Sequence, residues 1–257
     1  MKISILGAGN VSKLVTPKLY KHGHTIHQVC NRSIKKAKSI AKKVNAEAMD
    51  DLTKLDTKID LLLIMVSDNA ISEVAQKLSK RFSKSSCLLV HSSGSISSKE
   101  LSAFKNYGVF YLLQTFKNFK ASDWNDIPIL YTANTSPNKK LLKSLASSLE
   151  MKSSLKSDKQ RKSIHLSAVI LNNFINHLFC LNEAWLTQNK SDFSLLIPLI
   201  QKTISNASEK NACKIQTGPA KRKDNEVIET HLRNLDKHPQ LQNLYSVFSE
   251  SIQKKYS

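Results

Sequence analysis

Lys2-Ile3-Ser4-Ile5-Leu6-Gly7-Ala8-Gly9-Asn10-Val11-Ser12 runs from a short apolar segment through a glycine-rich turn into a stretch that predicts a helix. A strand covered on both faces reads as a continuous apolar run, and a sharp turn after it needs a residue without a Cβ. Gly7 suits that turn, Gly9 leaves room for close backbone approach, and Asn10 and Val11 start a helix whose unpaired N–H groups carry the positive end of its dipole. The G-x-G-x-x-[GA] pattern says little alone. Between a strand and a helix, it is the arrangement that cradles a pyrophosphate. Ser12 takes the third position, where helix-on-strand packing asks only for a small side chain. The chain has 6 glycines, where an average usage of about 7% would place roughly 18, and two of them sit in this turn. A tight turn that binds nothing is the alternative.

Outward from this turn, apolar runs alternate with amphipathic stretches. Strands are expected at Lys2–Leu6, Thr25–Cys30, Ala46–Met49, Ile59–Val66 and Cys87–His91, then near Val109–Leu113 and Ile127–Tyr131. Helices are expected at Asn10–Lys21, Ser33–Val44, Asp68–Lys80, Ser97–Asn106 and Pro137–Leu149. The alternation predicts an α/β fold with a Rossmann-like, mostly parallel sheet. The polar segment Lys152–Lys159 reads as a boundary, and from Gln160 onward only helices are expected. The predicted organisation is a dinucleotide-binding domain at 1–155 and an all-α domain at 156–257, built on a long central helix.

Composition narrows the function classes. With 257 residues, 40% hydrophobic, 23% charged and a mean hydropathy of −0.31, the chain reads as globular rather than disordered. Uninterrupted apolar runs such as Leu61–Val66 fall short of the ~20 residues that cross a bilayer, so no membrane partner is expected. No secretory leader is visible at the N-terminus, and the protein is expected in the cytoplasm. The four cysteines lack metal or redox spacing and are read as reduced core thiols; no metal site is expected. The 39 basic and 20 acidic residues leave +19. The surplus is spread along the chain, and only five residues are Arg, the side chain suited to bidentate phosphate and guanine contacts. Nucleic acid is therefore not the expected partner; a small-molecule substrate is.

At the end of the second strand, where NAD-binding proteins carry an acid for the ribose diol, the chain reads Cys30-Asn31-Arg32-Ser33. Asn31 can bond a ribose without repelling a phosphate, while Arg32, Ser33, Lys35 and Lys36 can take a 2′-phosphate. NADP is the expected cofactor. Val66, Ser67 and Asp68 end the fourth strand, and His91-Ser92-Ser93-Gly94-Ser95 ends the fifth, both at the edge where open α/β sheets hold ligands. Ser92, Ser93 and Gly94 are expected to meet substrate. Helix capping is the competing role for Ser33, Asp68 and the serines.

Arg161–Leu186 contains neither Pro nor Gly and is apolar around most of its circumference, the pattern of a buried helix. At about 100° per residue, His165, Asn172, Asn176 and Glu183 fall near one line, a polar stripe expected to face substrate. His165 and then His91 are the expected proton donors near neutral pH, and Asn172 and Asn176 the orienting groups. Thr217-Gly218-Pro219-Ala220 leads into a helix expected to run to about Leu235. It is either an anion-facing turn or a plain helix start.

GAGNVS, CNRS, VSDNAI, HSSGS, LLQTF, IHLSAVILNNFINHL and TGPAKRKD occur here in one order. In this the chain resembles a bacterial family of predicted oxidoreductases with an N-terminal Rossmann-like domain and a C-terminal helical domain of unassigned function. That family is similar in layout to the β-hydroxyacid dehydrogenases, pyrroline carboxylate reductases and deazaflavin-dependent NADP reductases. The resemblance implies NADP binding and hydride transfer, with the long helix as one wall of the cleft and part of a homodimer interface. It implies that Gly7, Gly9 and Asn10 hold pyrophosphate, Asn31 and Arg32 the adenosine phosphate, and Ser93 with Gly94 the substrate loop. Two departures stand out. The hydroxyacid dehydrogenases carry a Lys followed one turn later by Asn on the central helix, whereas this stripe has Asn172 and Asn176 without a Lys. Lys223 stands where a small residue is expected. A non-catalytic NADP-binding sensor or scaffold is the alternative function.

Overall fold

Strands β1 (Lys2–Leu6), β2 (Thr25–Cys30), β3 (Glu47–Met49), β4 (Leu61–Ile64), β5 (Leu88–His91), β6 (Asn106–Leu112), β7 (Ile129–Ala133) and β8 (Ser153–Leu155) form one sheet in the computed structural model. Their order is β3-β2-β1-β4-β5-β6-β7-β8. All neighbouring pairs are parallel except β6 with β7. The structure describes all residues but 120, 125, 210 and 257. By its contacts the chain divides into two units, Met1–Ala168 and Val169–Ser257.

The first unit follows the apolar runs. Successive residues of a strand point to opposite faces. Ile3, Ile5, Leu61 and Leu63 therefore enter one core cluster, while Leu6, Leu62 and Ile64 enter the other. Helices α1 (Asn10–Lys21), α2 (Ile34–Ala41), α3 (Ile71–Phe82) and α4 (Ser136–Ser148) cover the sheet. In α3 the buried residues are Ile71, Ala75, Leu78 and Phe82, one helical face. The order reverses between β1 and β4, so the loops leaving their carboxyl ends diverge and open a crevice.

One expectation for this unit is corrected. Ser97–Asn106 is no helix: it holds one 3₁₀ turn, Ser98–Leu101, and β6 begins at Asn106. Leu101 and Phe104, both buried, are spaced like a helical face, but the 3₁₀ turn ends at Leu101 and Phe104 follows it in the loop before β6. The polar segment expected as a boundary supplies β8, which pairs with β7 at the sheet edge. An edge strand needs only one partner and tolerates polar side chains.

Beyond β8 every described element is helical. α5 (Asp158–Ala168) continues through a π-helical stretch, Val169–Phe174, into α6 (Ile175–Gln188). Then come α7 (Ile197–Glu209), α8 (Pro219–Arg222), α9 (Asn225–Asn234) and α10 (Pro239–Lys255). The helix expected from Pro219 to Leu235 breaks at Lys223, which takes a left-handed φ of 58°, and Asp224 caps α9 by accepting from the Val227 N–H. The left-handed conformation accounts for the small residue expected at that position.

The long helix is not buried, contrary to its pattern. None of its most apolar 18-residue window is fully buried within the chain. That window averages a hydropathy of 1.4, so by length and composition Asp158–Gln188 could cross a membrane, which counting uninterrupted runs misses. Its Asn and His residues would be costly in hydrocarbon, and the core helix of a soluble assembly has the same composition. Cys30 and Cys87 are buried thiols as expected, but Cys180 and Cys213 are exposed.

Candidate active site

A cavity of about 280 Å³ opens at the β1–β4 divergence. It gathers Gly7 and Gly9 from the first turn, Asn31, Arg32 and Lys36 from the end of β2 and the start of α2, and Val66 and Ser67 from the end of β4. Gly7 has φ +115°, and a Cβ there would overlap the Met65 carbonyl, so the close approach of the turn after β1 to the end of β4 requires glycine. Gly9 differs: its backbone is ordinary and a Cβ would meet nothing within 4 Å. Packing does not explain Gly9, and a side chain there would project into open space at the mouth of α1. The amino end of α1 has no side-chain cap and no acid in its first turn. Asn10 and Val11 begin that helix, leaving its N–H groups for an anion. Ser12 is fully buried beside Thr16, as the small third position requires.

At the end of β2, Asn31 donates its side-chain amide to the Ser33 carbonyl at 3.2 Å, and Ser33 is the N-cap of α2 without a side-chain bond. Arg32 and Lys36 bring positive charge to the cavity, and Asp50 and Glu73 bring negative charge. The hydrogen bond and charge of Lys77, helped by Arg32, hold the Glu73 carboxyl below its usual range. Asp68 begins a 3₁₀ turn whose N-cap is Ser67, and its carboxylate accepts from the Ser95 hydroxyl.

His91 is fully buried. Its Nδ1 accepts from the Ser93 N–H at 3.2 Å, so the proton sits on Nε2, which donates to the Ser97 carbonyl at 3.2 Å. Desolvation is the largest influence and lowers this imidazole to about 4. Both nitrogens are occupied and the ring is neutral, the state of a loop anchor rather than a proton donor. The Ser93 hydroxyl accepts from the Ser95 and Ile96 N–H groups, closing a turn. Ser92 is half-buried. Gly94 lies against the His165 ring: a Cβ on it would overlap His165 Nδ1 and Cγ and the Tyr111 ring.

His165 Nδ1 is 3.0 Å from the Tyr111 hydroxyl, and the two rings meet edge to face. Desolvation, then the charge of Asp68, raise the Tyr111 phenol, which therefore stays protonated. The sequence reading missed Tyr111, because an aromatic inside Val109-Phe110-Tyr111-Leu112 looks like any packing residue. It also missed Asp158 and Arg161. Arg161 is 1% exposed and pairs with Asp158 at 2.6 Å. Burial would raise Asp158, yet hydrogen bonds from Ser97, Arg161 and Ser98 hold it at about 2.

Asn172 and Asn176 fall in the second unit, exposed, with Asn172 donating to Asn173. The π-helical stretch intervenes between His165 and Asn176, and each of its residues turns less than an α-helical one. The straight line counted at 100° per residue therefore does not hold. Among the described residues, no cluster of three metal-ligating side chains occurs. The second unit has its own cavity of about 250 Å³, lined by residues including Trp185, His231 and Tyr245.

Comparison with known proteins places these features in context. Residues 1–90 match the family model for shikimate / quinate 5-dehydrogenase, and residues 127–252 match a domain of unknown function, DUF2520. A crystal structure from Bacteroides fragilis, titled a "putative NADP oxidoreductase", is 34% identical, covers 98% of both chains and superposes with a TM-score of 0.86. A reductive aminase from Aspergillus terreus, solved with NADPH and ethyl-5-oxohexanoate, is 16% identical over 99% of this chain and 94% of its own, with a TM-score of 0.72. A pyrroline-5-carboxylate reductase from Coxiella burnetii is 15% identical over 97% of both chains, with a TM-score of 0.55. The last two likenesses are of fold alone. No curated protein sequence matches the chain.

Proposed function

This chain belongs to the family of the Bacteroides fragilis oxidoreductase, and from that premise we propose that it is an NADP-dependent oxidoreductase acting on a small C=O or C=N substrate. The observation that carries the reading is Gly9: a glycine that neither backbone nor packing demands, at an uncapped helix start, in a cavity shared with Arg32 and Lys36. Gly7, Gly9, Asn10 and Val11 hold the pyrophosphate, Asn31, Arg32 and Ser33 the adenosine ribose and its 2′-phosphate, and Val66, Ser67 and Asp68 the far side of the cofactor. When bound, NADPH supplies hydride from its nicotinamide. The match to a shikimate dehydrogenase model ends at residue 90 and covers only this nucleotide-binding region.

Hydride addition leaves negative charge on oxygen or nitrogen, which needs a proton. His165 is the donor in this reading. It gives a proton from Nε2 to substrate, while Nδ1 stays paired with the Tyr111 hydroxyl at 3.0 Å, so ring orientation survives the transfer. Tyr111 thus joins His165 as its positioning residue. His91 changes from second donor to anchor of the Ser92–Gly94 substrate loop. Asn172 and Asn176 keep the substrate-orienting role read from the helix, since amides bond but do not supply protons.

The exposed apolar residues of the second unit, among them Leu171, Phe174, Leu195 and Leu199, support a homodimer formed through the helical domain. A cytoplasmic location and a domain boundary near 155 belong to the same reading. The test is calorimetric titration with NADPH and separately NADH, followed by imines and ketoacids as acceptors with NADPH absorbance as readout. Tighter NADPH binding and turnover of an acceptor support it, and lack of affinity for either nucleotide overturns it. NADPH binding without turnover of any acceptor favours the non-catalytic sensor, to which the missing lysine on the central helix points.

A further inference from the structure

Resting on that reading, we propose that the buried Asp158–Arg161 pair is a positioning device for the reduction site, tying loop 91–98 to α5 so that the Ser93–Gly94 backbone, Tyr111 and His165 stay in register. One carboxylate and one guanidinium hold three consecutive loop residues. Asp158 Oδ2 accepts from the Ser97 hydroxyl at 2.7 Å, the Ser98 N–H at 2.8 Å and the Ser98 hydroxyl at 3.0 Å. Arg161 gives one nitrogen to Asp158 Oδ1 at 2.6 Å and another to the Ile96 carbonyl.

The loop's other end is held by His91, which donates to the Ser97 carbonyl and accepts from the Ser93 N–H. Direct bonds therefore run from Arg161 and Asp158 through Ser97 and His91 to Ser93, the neighbour of Gly94. Arg161 also precedes His165 by four residues, one turn away on the same helix face. The pair thus grips both sides of the contact between Gly94 and the His165 ring. That contact has no slack, because even a methyl group on Gly94 would overlap the imidazole.

Stability alone does not account for the pair. Apolar residues of equal volume commonly replace a buried ion pair without loss. Here the cost is higher still, since Arg161 Nε is buried without a partner among the described residues. What apolar packing cannot supply is direction: a planar guanidinium fixes two acceptors at set angles, and a lysine, a point charge, does not.

The test uses full-length protein and histidine ring ¹⁵N NMR, with the His165 signals assigned by their loss in His165→Gln. Asp158→Asn and Arg161→Lys are compared with wild type and with Tyr111→Phe, alongside circular dichroism and NADPH calorimetry. The expected result is folded variants that bind NADPH within about twofold of wild type, with His165 moved to the mixed-tautomer shifts of a free imidazole, as in Tyr111→Phe. Folded variants with unchanged His165 signals would overturn the proposal. Should Asp158→Asn not fold, Arg161→Lys decides alone, because Lys can still meet Asp158 but cannot hold the Ile96 carbonyl at the same time. Wild-type protein without affinity for NADPH would overturn the reductase reading instead, and the His165 signals would still judge the pair.

Discussion

The two units of this chain bury their residues very differently. In Met1–Ala168 the strands β1, β4 and β5 are almost wholly inaccessible, whereas among the described residues of Val169–Ser257 only Ala220, Leu235 and Ser249 are buried. Sequence composition does not separate them in that way, since Val169–Phe179 is as apolar as many core strands. The difference lies in where the covering surface comes from. A parallel sheet receives its cover from its own crossover helices, so the first unit completes its core within one chain. A set of helices with apolar residues around most of their circumference needs cover from outside. Fully buried polar side chains with fixed partners are accordingly found in the first unit, His91 and Arg161 among them.

His165→Ala challenges that placement most severely. Turnover of an accepted imine or ketoacid is expected to fall by about 10² to 10⁴, the usual worth of a general acid, with NADPH affinity retained. If the rate holds while Asn172→Ala abolishes it, the chemistry belongs to the second unit and the contrast is reversed.

Acid unfolding probes the dry interior of the first unit. His91 stands near 4 in the fold against about 6.5 when unfolded, so the unfolded chain binds the extra proton. Its contribution is fully present above about pH 6.5 and is lost as pH falls toward 4, on the order of 3 kcal/mol. Chemical denaturation across that window, compared with His91→Gln, measures it; equal slopes for both proteins would mean that His91 is solvated.

Phe174→Glu addresses the uncovered helices. If a second copy supplies the cover, sedimentation should show dimer dissociation increased by about 30-fold or more, the scale of an interface hot spot. Wild-type protein that is monomeric at micromolar concentration would show that something else covers this face. The smallest effect is expected for Arg32→Ala, which should weaken NADPH by about tenfold and leave NADH nearly unchanged, as loss of one charge-assisted phosphate contact predicts. Equal weakening of both nucleotides would place Arg32 on the shared pyrophosphate instead.

Much of the first unit is legible in the residues. β1, α1 and β2 fall where the apolar run, the glycine turn and the β-branched segment place them, because each is a local pattern. The cavity residues of the first turn, the end of β2 and the end of β4 were legible for a related reason: parallel topology sends all those strand ends to one edge. Tyr111, Asp158 and Arg161 were not. Tyr111 lies in a strand where aromatics are common, and Ser157-Asp158-Lys159-Gln160-Arg161-Lys162 reads as a solvated helix start. Nothing local distinguishes the guanidinium that turns inward from the lysines beside it. The π-helical turn was equally invisible, since its residues fit an α-helical count as well.

By itself the sequence determined the alternation of strands and helices, the glycine turn at the first strand's end and the absence of an acid after the second. These follow from periodicity and from steric rules that act over a few residues. Tertiary structure alone decided that His91 is dry and doubly bonded, that Tyr111 meets His165, that Arg161 is buried and that the long apolar helix is not. Each of those depends on which distant segment lies alongside, and the field, the hydration and the free space around a side chain are properties of that neighbour.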